Sequence, residues 1–115
     1  MAQGSPLTTH ILDTARGCPA RNVPISLYRR QNDGWHLLAN GATNNDGRCP
    51  GLLTQQQFTQ GTYKLYFDTG AYYNMLDEKG FFPYVEVVFV INEPNQHYHV
   101  PLLLSPYSYS TYRGS

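Results

Sequence analysis

Turn-forming tetrapeptides cut this chain into short pieces, and within the pieces apolar residues alternate with polar ones. Gln31-Asn32-Asp33-Gly34 and Asn44-Asn45-Asp46-Gly47 are the clearest cuts, because Gly accepts the positive φ that tight turns need at little steric cost. An alternation of period two places successive side chains on opposite faces of a strand. Thus Leu7, Thr9 and Ile11 alternate with Thr8, His10 and Leu12 in a first strand over Leu7 to Asp13. A loop through Gly17, Pro19 and Asn22 leads into a second, where Val23, Ile25 and Leu27 alternate with Pro24, Ser26 and Tyr28. The Asn-Asp-Gly turn should fold a third strand, Trp35 to Ala39, back against it. Leu52-Leu53, Tyr63 to Asp68, Tyr84 to Ile91, His97 to Ser105 and Tyr107 to Tyr112 complete the set. One stretch departs from this rule. From Thr69 as N-cap, Tyr72, Met75 and Leu76 fall at helical spacing and Gly80 stands where a helix ends, so one short α-helix is expected there. Seven or eight short strands and one helix make an all-β chain, and their spacing argues for a two-sheet β-sandwich. Ten Tyr and five Phe agree with this, since aromatic side chains suit a pleated, half-buried surface.

A chain of 115 residues has room for one hydrophobic core, so residues 1–115 read as a single domain with a flexible lead-in at 1–6. Only 14% of the residues are charged and the formal net charge is zero, which argues against disorder and against a nucleic-acid surface. No apolar run approaches the roughly 20 residues that a membrane-spanning helix needs. Met1-Ala2-Gln3-Gly4-Ser5-Pro6 lacks the basic and apolar regions of a secretory signal, and the final Arg-Gly-Ser is not a peroxisomal address. The cytoplasm is therefore the expected compartment, or the peroxisome if a presequence has been removed. Cys18 and Cys49 each precede Pro and match no metal spacing, so no disulfide is expected between them. Pro101 cannot donate to a ladder and should sit at an edge, a bulge or an outward-facing gap. The Tyr-rich last strand carries few charges, and an edge of that kind is normally covered or paired with another subunit. Oligomerisation through it is expected.

The chemistry falls to His and Arg. No Ser-His-Asp order, Gly-rich phosphate loop, carboxylate dyad or Cys pair at metal spacing is present. Imidazole titrates nearest neutrality and can take a proton from water or return one. Of the four His, His36 lies opposite Trp35 and Leu37 on the third strand and reads as solvated. His97 and His99 are two apart and share a face, an arrangement that chelates a metal only if a third ligand arrives from elsewhere. His10 shares a face with Thr8, and Arg48 follows a tight corner. Periodicity alone leaves these residues with structural readings as good as functional ones.

Several stretches together go further: Leu7-Thr8-Thr9-His10-Ile11-Leu12-Asp13, Asn45-Asp46-Gly47-Arg48-Cys49-Pro50, Phe82-Pro83-Tyr84-Val85, His97-Tyr98-His99-Val100-Pro101-Leu102-Leu103-Leu104-Ser105 and Tyr112-Arg113-Gly114-Ser115. In this order, across the whole chain, they resemble the 5-hydroxyisourate hydrolases, the transthyretin-related proteins of urate breakdown. The terminal tetrapeptide is the most specific element, since it marks the hydrolases and is absent from the hormone-carrying transthyretins. The resemblance implies a transthyretin-like β-sandwich assembled as a homotetramer, a dimer of dimers with active sites in the channel where the dimers meet. It implies catalytic His10, Arg48 and His99, and substrate contacts from Arg48, Tyr112, Arg113, Gly114 and Ser115. It implies hydrolysis of 5-hydroxyisourate to 2-oxo-4-hydroxy-4-carboxy-5-ureidoimidazoline, with no metal and no cofactor. The departures are small: Thr8 stands where the first motif often has Ser, and Cys18 lies in the loop after the first strand. Two other readings compete, a carrier of a small aromatic ligand in the same channel and a metal-binding module built on His97 and His99.

Overall fold

The structure, a computed structural model, describes residues 5–114. In β1 (Leu7–Asp13) the alternation buries Leu7, Thr9, Ile11 and Asp13 and leaves Thr8, His10 and Leu12 half-buried. The same rule shapes β5 (Gly61–Phe67), which buries Tyr63, Leu65 and Phe67. In chain order the elements are β1, β2 (Cys18–Pro19), β3 (Pro24–Gln31), β4 (Gly34–Ala42), β5, α1 (Thr69–Met75), β6 (Val85–Ile91), β7 (Tyr98–Ser105) and β8 (Ser108–Thr111). They make two four-stranded sheets, one ordered β2-β1-β7-β8 and the other β4-β3-β5-β6. The inward rows of the two sheets meet in one core, where Leu7, Ile11 and Leu102 face Leu27, Leu65 and Phe67. The expected two-sheet sandwich with one short helix is the observed architecture. Among the described residues no helix is long and apolar enough to cross a membrane.

Pairing decides what shares a surface. The second and third strands form the expected hairpin, β3 antiparallel to β4. β1 and β7 pair in parallel across most of the chain, setting Thr8 opposite His99 and His10 opposite Pro101. A parallel pair needs a long crossover, and here β2 through β6 supply it.

Several local expectations are corrected. At the hairpin Asn32 and Asp33, at φ 49 and 66, carry the left-handed conformation, and Gly34 instead opens β4. Both central residues at positive φ match the twist of a two-residue hairpin. Leu52 and Leu53 are buried but form no ladder, because Pro50 and the left-handed Gly51 (φ 77) break the strand path just before them. The helix is capped by Asp68, whose carboxylate accepts from Ala71 N at 3.0 Å, and Thr69 is its first residue. It ends at Met75 with Asp77, not Gly80, in the left-handed position (φ 55). Met75 faces solvent, and Tyr73 joins Tyr72 inside. The Tyr72 hydroxyl donates to Asp13 Oδ2 at 2.7 Å, pinning the helix to the end of β1.

Pro6 does not belong to the flexible lead-in expected at 1–6. Pro6 is buried and its carbonyl accepts from Tyr98 N at 2.9 Å, while the expectation for residues 1–4 falls outside the described residues. Pro101 sits in β7, between β1 and β8. Its nitrogen faces the point where the β8 ladder stops at Thr111, and the Thr111 hydroxyl donates to its carbonyl at 2.7 Å. That is the outward-facing gap the sequence allowed. Both cysteines are free, Cys18 exposed and Cys49 buried.

Candidate active site

The outer face of the β2-β1-β7-β8 sheet collects the singled-out residues. Directly opposed strand residues project to the same side, so the pairing of Thr8 with His99 and the bridges His10 to Arg48 and His99 to Gly114 define one surface. Neighbouring strands lie about 4.8 Å apart, so Arg48, His10 and His99 lie within the footprint of one small planar ligand. The structure brings together His10, Arg48, His99 and Gly114 from four separated stretches of chain.

Arg48 is placed by its turn. Asn44 Oδ1 accepts from the backbone of Asp46 at 2.9 Å and of Arg48 at 3.1 Å, and Asn44 N donates to Arg48 O at 2.8 Å. Gly47 (φ 76) lets this turn lie against β1: a Cβ there would stand 2.5 Å from the Ile11 carbonyl oxygen. The Gly47 carbonyl accepts from Ile11 N at 2.8 Å, which joins the turn to β1 one residue from His10. A small pocket of about 70 Å³ opens beside it, lined by Thr8, Thr9, Arg48, Cys49 and Pro50.

The tail is docked against His99. Gly114 N donates to His99 O at 2.7 Å, and a Cβ on Gly114 would come within 2.7 Å of His99 Cδ2. Only Gly fits there. Arg113 does not bring its side chain to this face. Its guanidinium lies 4.3 Å from the Tyr98 ring centroid and donates to Gln96 Oε1 at 2.9 Å, which clamps the tail from the inner side. Tyr112 is exposed, and Ser115 lies outside the described residues. His36 is exposed on β4, in the other sheet.

The imidazole of His99 is held below its ordinary pKa of 6.5, first by burial, then by the charges of Arg48, His10 and His97. The shift favours the neutral ring. Its Nδ1 lies 2.8 Å from Thr8 Oγ1, and the same hydroxyl lies 3.2 Å from His97 Nε2. The side chain that reaches the His97 and His99 pair is thus a hydroxyl. Among the described residues no three His, Cys, Asp or Glu converge as a metal-binding group.

Residues 7–114 match the HIUase/Transthyretin family over nearly the whole chain. The chain belongs to that family. Among family members, a 5-hydroxyisourate hydrolase of Mus musculus is 55% identical over 115 residues, covering 98% of each chain. A 5-hydroxyisourate hydrolase of Pseudomonas aeruginosa is 48% identical over 95% of this chain and 90% of its own. The fold is similar to that of sea bream transthyretin in complex with thyroxine, with a TM-score of 0.91 at 40% identity, covering 95% of this chain and 94% of that one.

For a HIUase/transthyretin chain the catalytic candidates were legible from motifs, but the residues that hold them were not. Asn44 and Gly47 carried a turn signal without showing that the turn serves Arg48. Thr8 was seen only as a neighbour of His10, because its partner His99 stands 91 positions away.

Proposed function

We propose that this protein is a 5-hydroxyisourate hydrolase, opening the substrate ring by attack of water on a carbonyl. One observation carries the reading: His10, Arg48 and His99, with Gly114 of the terminal tetrapeptide, share one outer sheet face, and burial there lowers the His99 pKa and favours its neutral ring. The names of the relatives agree with it.

The reaction needs a base for water, a donor for the developing oxyanion and an acid for the leaving nitrogen. His99 takes a proton from water as the oxygen adds to the carbonyl carbon. Arg48 holds the polar edge of the planar substrate with its fork of donors and faces the oxygen where charge develops. As the ring C–N bond breaks, His10 supplies the proton that the departing nitrogen requires. Water thus ends divided between the new carboxylate and the ureido nitrogen, giving 2-oxo-4-hydroxy-4-carboxy-5-ureidoimidazoline. On this reading the Ser115 hydroxyl would hydrogen-bond substrate or water, and Tyr112, which is exposed, would meet the substrate from the tail. Arg113 acts through the main chain, its side chain serving as the clamp on Tyr98. No metal or cofactor takes part.

On one chain this face is an open shelf. We read the chain as one domain that assembles into a homotetramer, a dimer of dimers, with the shelves closed into a channel between dimers. Two edge strands support that reading: β6 exposes Val88 and Val90, and the tail around β8 exposes Tyr107, Tyr109 and Tyr112. Apolar edges of this kind call for a partner. A cytoplasmic or peroxisomal site of action is compatible with the chain.

The test is to generate 5-hydroxyisourate from urate with urate oxidase and follow its ultraviolet decay. The protein should accelerate the decay, and variants dissociated into dimers should not. A rate no faster than buffer would leave the competing reading, a carrier of a small aromatic ligand like the thyroxine complex of its structural relative.

A further inference from the structure

Two side chains without a role in the mechanism above meet the residue it depends on most. Thr8 Oγ1 is 2.8 Å from His99 Nδ1 and 3.2 Å from His97 Nε2. A hydroxyl has one proton, so it can donate to only one of these imidazoles. If Thr8 donates to His99 Nδ1, the His99 proton sits on Nε2, and the nitrogen left for the substrate is a donor. If Thr8 donates to His97 Nε2, it accepts from His99 Nδ1–H, and His99 Nε2 keeps its lone pair. Only the second arrangement makes His99 a base.

The surroundings select it. The 2.8 Å contact to His99 Nδ1 is the shorter of the two and the 3.2 Å contact to His97 Nε2 the longer, and a hydroxyl can accept the first while it donates the second. His97 is exposed, so its Nδ1–H can be left to water while Nε2 accepts from Thr8. The parallel register sets Thr8 directly opposite His99, on the same face, so a short side chain suffices to reach it.

We propose that Thr8 and His97 are positioning residues that hold His99 in the Nδ1–H tautomer: His99 Nδ1–H donates to Thr8 Oγ1, and Thr8 O–H donates to His97 Nε2. The inference rests on the reading of His99 as the base. When His99 Nε2 takes the proton of water, the ring becomes an imidazolium, and its charge is relieved through the hydroxyl toward an imidazole that solvent reaches. No proton leaves Nδ1 or Thr8 in this step. A carboxylate performs the same orienting task in Ser-His-Asp triads. Here a carboxylate at position 8 would compete with substrate for Arg48, which a neutral hydroxyl does not.

The experiment compares Thr8→Val, Thr8→Ser and His97→Phe with the wild-type protein, by turnover and by the ring 15N resonances of His99. The wild type and Thr8→Ser should show the Nδ1–H form. Thr8→Val should shift His99 to the Nε2–H form and lower kcat by about tenfold to a hundredfold with KM little changed, as loss of an orienting partner does. Thr8→Ser should restore most of the rate. His97→Phe, at an exposed position, should fold normally and lose less. If Thr8→Val does not fold, His97→Phe decides the matter through the same two readouts. An unchanged tautomer with an unchanged kcat would overturn the proposal. His99→Ala at the wild-type rate would instead remove the base assignment beneath it, whatever the resonances show.

Discussion

The two sheets carry opposite kinds of outer face. On the β4-β3-β5-β6 sheet the outer cations are matched by neighbouring groups: Lys64 lies between the Tyr28 and Trp35 rings at 4.9 and 4.8 Å and pairs with Glu86 at 3.0 Å. Arg30 lies over Trp35 at 5.6 Å. On the β2-β1-β7-β8 sheet, Arg48 enters no ion pair among the described residues, and the imidazole of His99 meets only a hydroxyl. On one face Lys64 and Arg30 are held by neighbouring rings and a carboxylate, whereas on the other the Arg48 guanidinium has no carboxylate partner among the described residues, as the proposed site requires. The proposed site is thus chosen by charge that the fold does not itself neutralise, not by pocket size. Two cavities of about 270 Å³ are roomier than the pocket beside Arg48, one bordered by Val87, Phe89, Val100 and Arg113 and the other by Arg16, Cys18, Tyr72 and Leu76, and neither holds His10 or His99.

The contrast is broken most directly by removing either imidazole. His10→Ala or His99→Ala should lower turnover of 5-hydroxyisourate by about a hundredfold or more, the scale of general acid–base catalysis, with thermal stability nearly unchanged. Wild-type rates in either variant would make the two faces equivalent. Gly114→Ala comes next. Its methyl would press on the His99 ring, and displacing a catalytic group by an ångström costs up to about a hundredfold. Normal kcat in a folded Gly114→Ala protein would show that the tail does not set the ring.

A pH profile sharpens the comparison at smaller amplitude. Burial and the charges of Arg48, His10 and His97 depress the His99 pKa, so the acid limb of kcat/KM should fall below pH 6.5, the value of an unperturbed imidazole. The sign for stability follows the same shift. The unfolded chain binds this proton more readily, so the contribution is fully present above pH 6.5 and is lost as pH falls from there through the folded value. An acid limb above 6.5 would contradict the assignment. The smallest effect belongs to the other face: Lys64→Met should leave kcat unchanged and cost about 1 kcal/mol of stability, since it removes a partly exposed ion pair and two ring contacts. A tenfold loss of activity there would erase the distinction between the sheets.

Much of this was legible in the chain. Period-two alternation in Leu7 to Asp13 and Tyr63 to Phe67 foretold both the strands and the face each residue takes, because burial of one face enforces that period. The activity that the motifs implied agrees with the names of the relatives. What stayed hidden depends on pairing between distant strands. That Thr8 would meet His99 required the parallel register of β1 with β7, which no local pattern encodes. Arg113, grouped with the site by its motif, turns inward because Gly114 occupies the outer position opposite His99 and neighbouring residues alternate sides. The cap of α1 moved by one residue, from Thr69 to Asp68, since either can accept from a helix N–H and only the local path decides between them.

The central claim is that catalysis resides on the outer face of the β2-β1-β7-β8 sheet and nowhere on its counterpart. Its most direct test is the decay rate of enzymatically generated 5-hydroxyisourate, measured side by side for the wild type, His99→Ala and Lys64→Met at equal protein concentration. The wild type and Lys64→Met should accelerate the decay equally, and His99→Ala should keep about a hundredth of that acceleration. Equal acceleration by all three, or none by the wild type, would contradict it.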